Sequence, residues 1–245
     1  MRAEVAIKLI SLNIEMNKHL PEIAVFLRKE KPDVLCLQEV SEYDFPRFQE
    51  RLAMQGRFEP MLRIRGLRPQ RTLKDGTIGL ALFSRFPGVF EANYYSGNPS
   101  HIPDEREDNQ GANHLLLSIR FSVAGAEYAI GTTHFAWTPD GEASNAQRED
   151  LKRLLVALER FPHLVFCGDF NAPRGGEIWA AIAKRYKDNI PASYLSSLDP
   201  RLHRAGHLTL MVEGLFSSPD YLVSNVRLVE GVSDHKAIVG VLERT

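Results

Sequence analysis

The sequence predicts an α/β chain of the α+β kind, in which antiparallel hairpins stand beside β-α units. Three observations carry this expectation. Residues 5–14 alternate as a strand does, and Leu20-Pro21 then opens a helix with Ile23, Phe26 and Leu27 on one face. Gly125 separates two strand patterns, 114–123 and 128–135, and reads as a hairpin turn. That hairpin beside a β-α beginning argues against a purely parallel sheet.

The elements follow in order. Pro32-Asp33 breaks the first helix before a short apolar strand at 34–37, and residues 42–54 read as a weaker helix despite Pro46. Further strands are predicted at 78–83, 164–167, 221–223, 226–229 and 237–242, with helices at 145–159 and 177–186. The polar stretches 96–113 and 197–207 read as long surface loops. Loops beyond about 12 residues in a compact domain are often functional. The length suits one domain, so residues 1–245 are read as a single unit.

Hydrophobic residues make up 44% and charged residues 25%, enough apolar material for a real core. Thirty basic residues against 31 acidic give a formal charge of -1, so no global field draws the protein onto nucleic acid or an anionic membrane. Any anionic substrate must be held locally. The first 13 residues include Arg2, Glu4 and Lys8 and do not form a secretory signal. No run approaches the roughly 18 apolar residues of a transmembrane segment. The simplest expectation is a cytoplasmic protein. Cys36 and Cys167 lie inside apolar runs and read as small hydrophobes without a catalytic role.

Position picks out the chemistry. Asn13, Glu39, His134 and Asp169 each fall at or just past the end of a predicted strand. Asp220 and Asp234-His235 precede predicted strands, with 226–229 available to bring the chain back, so all could share one rim. Such an oxygen-rich set suits Mg2+ or Mn2+ better than zinc. Glu39 and Asp234 are the natural metal ligands, joined by Asn13 and Asp169. A histidine, ordinarily near-neutral in pKa, can supply a general base, which gives His235 that role with Asp220 behind it to fix its tautomer.

Structural readings compete at several positions. Gly168-Asp169 and the segment before Asp234 could be turns, Asn13 could satisfy its own backbone, and Asn171 could stabilise the turn before Pro173. His19, His101, His163, His203 and His207 belong to no multi-residue pattern and read as structural. The basic run Arg63, Arg65, Arg68, Arg71 and Lys74 reads first as a solvated loop and second as a phosphate contact, with the acidic cluster 104–108 able to neutralise it. Tyr94, Tyr95 and Trp137 could stack on a base or cover a core edge.

Six segments taken together resemble the endonuclease/exonuclease/phosphatase superfamily. They are Ser11-Leu12-Asn13, Leu37-Gln38-Glu39-Val40, Gly131-Thr132-Thr133-His134-Phe135, Gly168-Asp169-Phe170-Asn171-Ala172-Pro173, Asp220-Tyr221-Leu222-Val223-Ser224 and Ser233-Asp234-His235. Each is weak alone; their order and spacing from 11 to 235 make them strong. The resemblance implies a four-layer sandwich, two mixed β-sheets packed face to face with helices outside and the site along one edge. It also implies that Glu39 binds metal with Asn13 and Asp234, and that Asp169 positions or deprotonates the attacking water. Asn171 would hold a phosphate oxygen. His235, oriented by Asp220, would act as base or electrostatic partner, and His134 would stabilise developing charge or assist the leaving group. One metal or two, and Asp169 or His235 as base, both stay open. A departure is Asn113-His114, where many relatives place an arginine before the comparable strand.

The function expected is divalent-metal-dependent hydrolysis of a phosphate ester, first a phosphodiester in DNA or RNA. Second comes a phospholipid headgroup, inositol phosphate or other small ester, favoured by the near-neutral charge. An idle binding module of the same fold ranks last.

Overall fold

The computed structural model describes residues 5–66, 75–105 and 111–245. The first sheet opens with β1 (Ile7–Asn13), which passes through helix α1 (Leu20–Glu30) to β2 (Val34–Ser41), parallel to β1 with Leu12 opposite Leu37. Helix α2 (Phe45–Leu52) leads into the antiparallel pair β3 (Gln55–Ile64) and β4 (Gly76–Ser84). The second sheet begins with β5 (Gly88–Ser96), β6 (His114–Val123) and β7 (Ala126–His134). Helix α3 (Asn145–Glu159) crosses from β7 to its parallel neighbour β8 (Val165–Asp169), and α4 (Glu177–Ala183), β9 (Lys187–Asp188) and β10 (Glu213–Ser217) follow. The chain then returns to the first sheet as β11 (Tyr221–Val229) and β12 (Ala237–Arg244). The two six-stranded mixed sheets have the orders β11-β12-β1-β2-β4-β3 and β5-β6-β7-β8-β10-β9.

Local chemistry sets the helix ends. Pro21 and Pro46 both fall in first turns, where the missing N–H leaves no bond unmade, so Pro46 starts α2 instead of interrupting it. Ser144 caps α3 by accepting the Gln147 N–H at 3.1 Å. Alternate residues of the first sheet divide between two interiors. Ile10, Leu12, Leu35, Leu37 and Phe83 meet Ile23, Phe26 and Leu27 of α1 and Phe48 of α2. Ile7, Leu9, Val34, Cys36, Leu80 and Leu82 join the cluster that holds Leu115, Leu117, Ile130 and Val165 of the second sheet. Leu154 of α3 and Trp179 of α4 close that cluster from outside, giving the helix-sheet-sheet-helix sandwich. Both cysteines are buried in it as free thiols.

Some strands differ from the sequence expectation. β3, β5 and β10 carry Pro, Gly, Asn or Glu inside short apolar patterns, which hides their period. The runs 221–223 and 226–229 form one strand, bulged between Ser224 and Arg227. This joining matters because a continuous β11 puts its two ends on opposite edges of the sheet.

On one edge β1, β2, β7, β8 and β11 end while β10 and β12 begin. His134 lies opposite Asp169, and Asp169 opposite Glu213. Gly168 permits the close pairing there: its φ is +137°, and a Cβ would lie 1.9 Å from the Thr133 carbonyl oxygen. Gly168→Ala should therefore cost at least about 2 kcal/mol of stability in urea denaturation, from strain and overpacking together. A variant as stable as the parent would show that this pairing relaxes freely.

Candidate active site

Asp169 is the centre of the rim. It is 2% exposed, and its Oδ1 accepts the Asn171 backbone N–H at 2.8 Å, the bond to the backbone two residues on that an aspartate makes in a turn. Its Oδ2 accepts from Asn13 Nδ2 at 3.2 Å and faces His134 Nε2 at 3.6 Å and His235 Nδ1 at 3.9 Å. Asn13 Nδ2 also donates to Glu39 Oε1 at 3.3 Å, so one amide joins β1 and β2 of the first sheet to Asp169 of the second. Gln38, one residue earlier, bridges the sheets beneath by donating to Thr132 Oγ1 at 2.8 Å.

Backbone conformation presents two of these side chains. Glu39 has φ 57° at the β2 bulge between Leu37 and Val40, and Asn171 has φ 47°. Left-handed backbone at a non-glycine residue costs on the order of 1–3 kcal/mol and tends to collect at functional sites. Asn171 Nδ2 donates to the Phe135 carbonyl at 2.9 Å, leaving the second N–H of the amide available. Asp234 and His235 enter from the loop between β11 and β12. That loop is tied down by Asp199, whose N–H donates to the Asp234 carbonyl at 2.8 Å and whose carboxylate accepts from Gly231 and Arg201 N–H groups.

His235 is oriented by Glu213, not by Asp220. His235 Nδ1 donates to Glu213 Oε1 at 2.8 Å, and Glu213 is wholly buried. Asp220 sits at the other edge, where its carboxylate lies 2.8 Å from His163 Nδ1. The cause is topological: β10 starts at the rim with Glu213 and runs away from it, so the turn to β11 carries Asp220 about a strand length off. Glu213 interrupts the apolar run 211–216, which hides the strand that carries it. An acidic residue inside such a run was itself the signal, since a buried carboxylate requires a partner.

The electrostatics of the rim are those of crowded acids. Burial raises the pKa of Glu39 against the attraction of His134, and the Asp234 charge adds to the rise; burial likewise raises Asp234, helped by Glu15. Burial opposes a charged His235, but Asp169, Glu213 and Asp234 outweigh it and raise its pKa to about 10. Among the described residues, two groups bring candidate ligand atoms within 4.8 Å of one another: Asp169 with Glu213 and His235, and Glu15 with His19 and Asp234. Glu15 accepts from His19 Nε2 at 3.0 Å and also pairs with Lys18. A divalent cation would fit this donor set, because it would neutralise buried carboxylates whose ionisation their surroundings now disfavour.

Other expectations resolve as follows. Arg63 and Arg65 lie 3.9 and 3.0 Å from Asp104, so that acidic residue offsets one of the two charges in the described part of the basic run. Arg68, Arg71 and Lys74, with residues 106–110, lie outside the described residues. Tyr95 is a core residue, Tyr94 donates to Glu59 at 3.0 Å, and Trp137 is exposed. Asn113 holds the loop at 98–101, donating to the His101 carbonyl at 2.8 Å. His114 Nδ1 donates to the His134 carbonyl at 2.8 Å, which supports the strand end beneath His134.

Burial lowers the His114 pKa to about 4, so the ring folds neutral, whereas the unfolded imidazole takes up a proton below about pH 6.5. The unfolded state thus binds more protons between those values, and stability should fall as pH drops through that window. Relative to His114→Gln, the parent should lose up to about 2 kcal/mol between pH 7 and pH 5 in urea titrations. Parallel pH profiles would place a charged His114 in the fold.

Solved structures share this architecture. The human nocturnin catalytic domain with bound sulfate anion has a TM-score of 0.74 at 21% identity, covering 98% of this chain and 95% of that one. An endonuclease/exonuclease/phosphatase from Beutenbergia cavernae gives 0.73 at 19% identity, covering 98% and 72%. A mannosyl-6-phosphatase from Bacteroides thetaiotaomicron gives 0.66 at 16% identity, covering 96% and 99%. No curated protein matches the chain. Residues 10–235 match the Endonuclease/Exonuclease/phosphatase family, and the chain belongs to that family of phosphoester hydrolases.

Proposed function

We propose that the rim hydrolyses a phosphate ester with the help of Mg2+ or Mn2+. The observation that carries this reading is the meeting of Asn13, His134 and His235 on one oxygen of Asp169, with Glu39 and Asp234 on the same edge. Glu39 and Asp234 would hold the cation, with Asn13 beside them. Bound there, it would polarise a phosphoryl oxygen and stabilise charge on the leaving oxygen.

The side chains have separable tasks. Asp169, fixed through Oδ1, presents Oδ2 to the attacking water and takes its proton. His235, with Nδ1 committed to Glu213, turns Nε2 toward the substrate. Its raised pKa supports an N–H donor at that atom, which offsets charge growing on the phosphoryl oxygens. Asn171 offers its free amide hydrogen to the same group, and His134 faces the leaving oxygen.

The nucleic-acid reading of the substrate draws on the basic run. Asp104 offsets one of the two charges of Arg63 and Arg65, and the formal charge of -1 adds no broad attraction for a polyanion, which favours a small ester such as an inositol phosphate, sugar phosphate or phospholipid headgroup. Hydrolysis compared across DNA, abasic DNA, RNA, lysophospholipids and inositol phosphates, with each cation and with chelator, decides between them.

Chelation should abolish turnover, and Glu39→Gln should weaken Mn2+ binding about 10- to 100-fold by calorimetry while the fold is kept. Undiminished affinity would remove Glu39 from the metal site. Asp169→Asn should lower kcat by about 10² to 10⁴ with little change in KM. Glu213→Gln should lower kcat at least about 10-fold by loosening His235, whereas Asp220→Asn should stay within about twofold of the parent. The reverse order would restore Asp220 as the orienting residue.

A further inference from the structure

We propose that His203 is a substrate-contacting residue whose Nε2–H donates a hydrogen bond to a non-bridging oxygen of the phosphoryl group at the rim. The inference rests on reading that rim as a phosphate-ester site, and it assigns a task to a histidine that belongs to no motif.

His203 lies in the connection between β9 and β10, and its position is fixed through Asp199. The His203 backbone N–H donates to the Asp199 carbonyl at 2.9 Å, while Asp199 holds Gly231 and the Asp234 carbonyl. Asp199 is 0% exposed, so the loop and the segment bearing His235 are bound to a common buried anchor. The His203 ring stands edge-on to that of His235, with centroids 6.3 Å apart and planes at 73°.

Its proton is placed by geometry. Ala205 N–H donates to His203 Nδ1 at 3.3 Å, and a ring nitrogen that accepts cannot carry the proton of the neutral imidazole. The proton therefore sits on Nε2. The groups that face the ring agree with a neutral state: burial and the charges of His235 and Arg204 disfavour the cation more than Glu15 and Asp169 favour it. His114 is the informative contrast, since its Nδ1 is the donor and its Nε2 keeps a lone pair that phosphate oxygen would repel. Lys18 is engaged by Glu15 and Arg201 lies 3.8 Å from Asp199, so His203 offers a donor that these side-chain cations do not.

The test uses the 245-residue chain labelled with 15N in its imidazoles, titrated with inorganic phosphate in Mg2+, together with the variants His203→Ala and His203→Gln. Phosphate should move the His203 Nε2 resonance with the same saturation curve as binding measured by calorimetry. His203→Ala should weaken phosphate binding and lower kcat/KM on the chromogenic ester bis(p-nitrophenyl) phosphate by about 10- to 100-fold, as expected for a bond to a charged acceptor. His203→Gln should recover most of that loss, because its amide supplies an N–H at similar reach. Mn2+ affinity and unfolding midpoint should not change in either variant. Parental kcat/KM in His203→Ala, no advantage of Gln over Ala, or an unmoved Nε2 resonance would each overturn the contact. If the parent turned over esters well while His203→Ala matched it, only the contact would fail. If the parent hydrolysed no ester yet phosphate still moved Nε2, the contact would stand and the reading of the reaction would fail.

Discussion

A nearly buried carboxylate, Asp169, is the interaction on which the rest of the rim depends. Removing such a charge from water costs several kcal/mol unless donors replace the solvent. Here the Asn171 N–H and Asn13 Nδ2 do so directly, and the imidazoles of His134 and His235 stand close enough to add their field. Hydrogen bonds to a charged group are each worth about 1.5–3 kcal/mol, so this set is of the size needed to replace the solvation that the carboxylate gives up on burial. Each donor comes from a different strand end or turn. Losing the alignment of any one would expose the deficit, which ties the chemistry of the site to the register of both sheets.

Crossover connections supply that alignment. The β1-α1-β2 and β7-α3-β8 units are parallel pairs, so in each the two carboxyl ends arrive at the same edge. Antiparallel β10 and β12 then begin where those strands end, which brings Glu213 and the Asp234-His235 pair to Asp169. Backbone strain makes the last adjustments, with Glu39 and Asn171 in left-handed conformations and Gly168 where a side chain would collide with Thr133. The core beneath, closed by rings such as Phe170 against Phe216 at 5.3 Å, is what can hold such strain in place.

Most of the architecture was legible in the sequence because its signals are local. Helices α1 and α3, the Gly125 hairpin and the strand ends at Asn13, His134 and Asp169 follow from period, proline placement and turn chemistry. The failures share one cause, which is that pairing across long separations leaves little local trace. β10 is only five residues long and contains Glu-Gly, so neither the strand nor the place of Glu213 opposite Asp169 leaves a local pattern. Two apolar runs at 221–223 and 226–229 looked like separate strands, and that one error moved Asp220 to the wrong edge. The structural reading of His203 has a similar cause: its position depends on Asp199 and on a contact 32 residues away with His235.

Proton placement also explains how a chain of net charge -1 can hold an anion beside so many acids. Arg63 and Arg65 supply little of the attraction, since Asp104 offsets one of their two charges. Three histidines in or beside the site are instead set in three different states by what their Nδ1 atoms meet. A carboxylate at His235 Nδ1 favours the cation, a backbone N–H at His203 Nδ1 leaves a neutral donor, and a carbonyl at His114 Nδ1 leaves a neutral acceptor. An anion is therefore drawn to the His235 and His203 side and turned away from His114. A local field of this kind acts over a few ångströms and, unlike a broad basic surface, gives little reward to phosphates far from the one being cleaved. Discrimination then falls to the shape and donors of the rim itself.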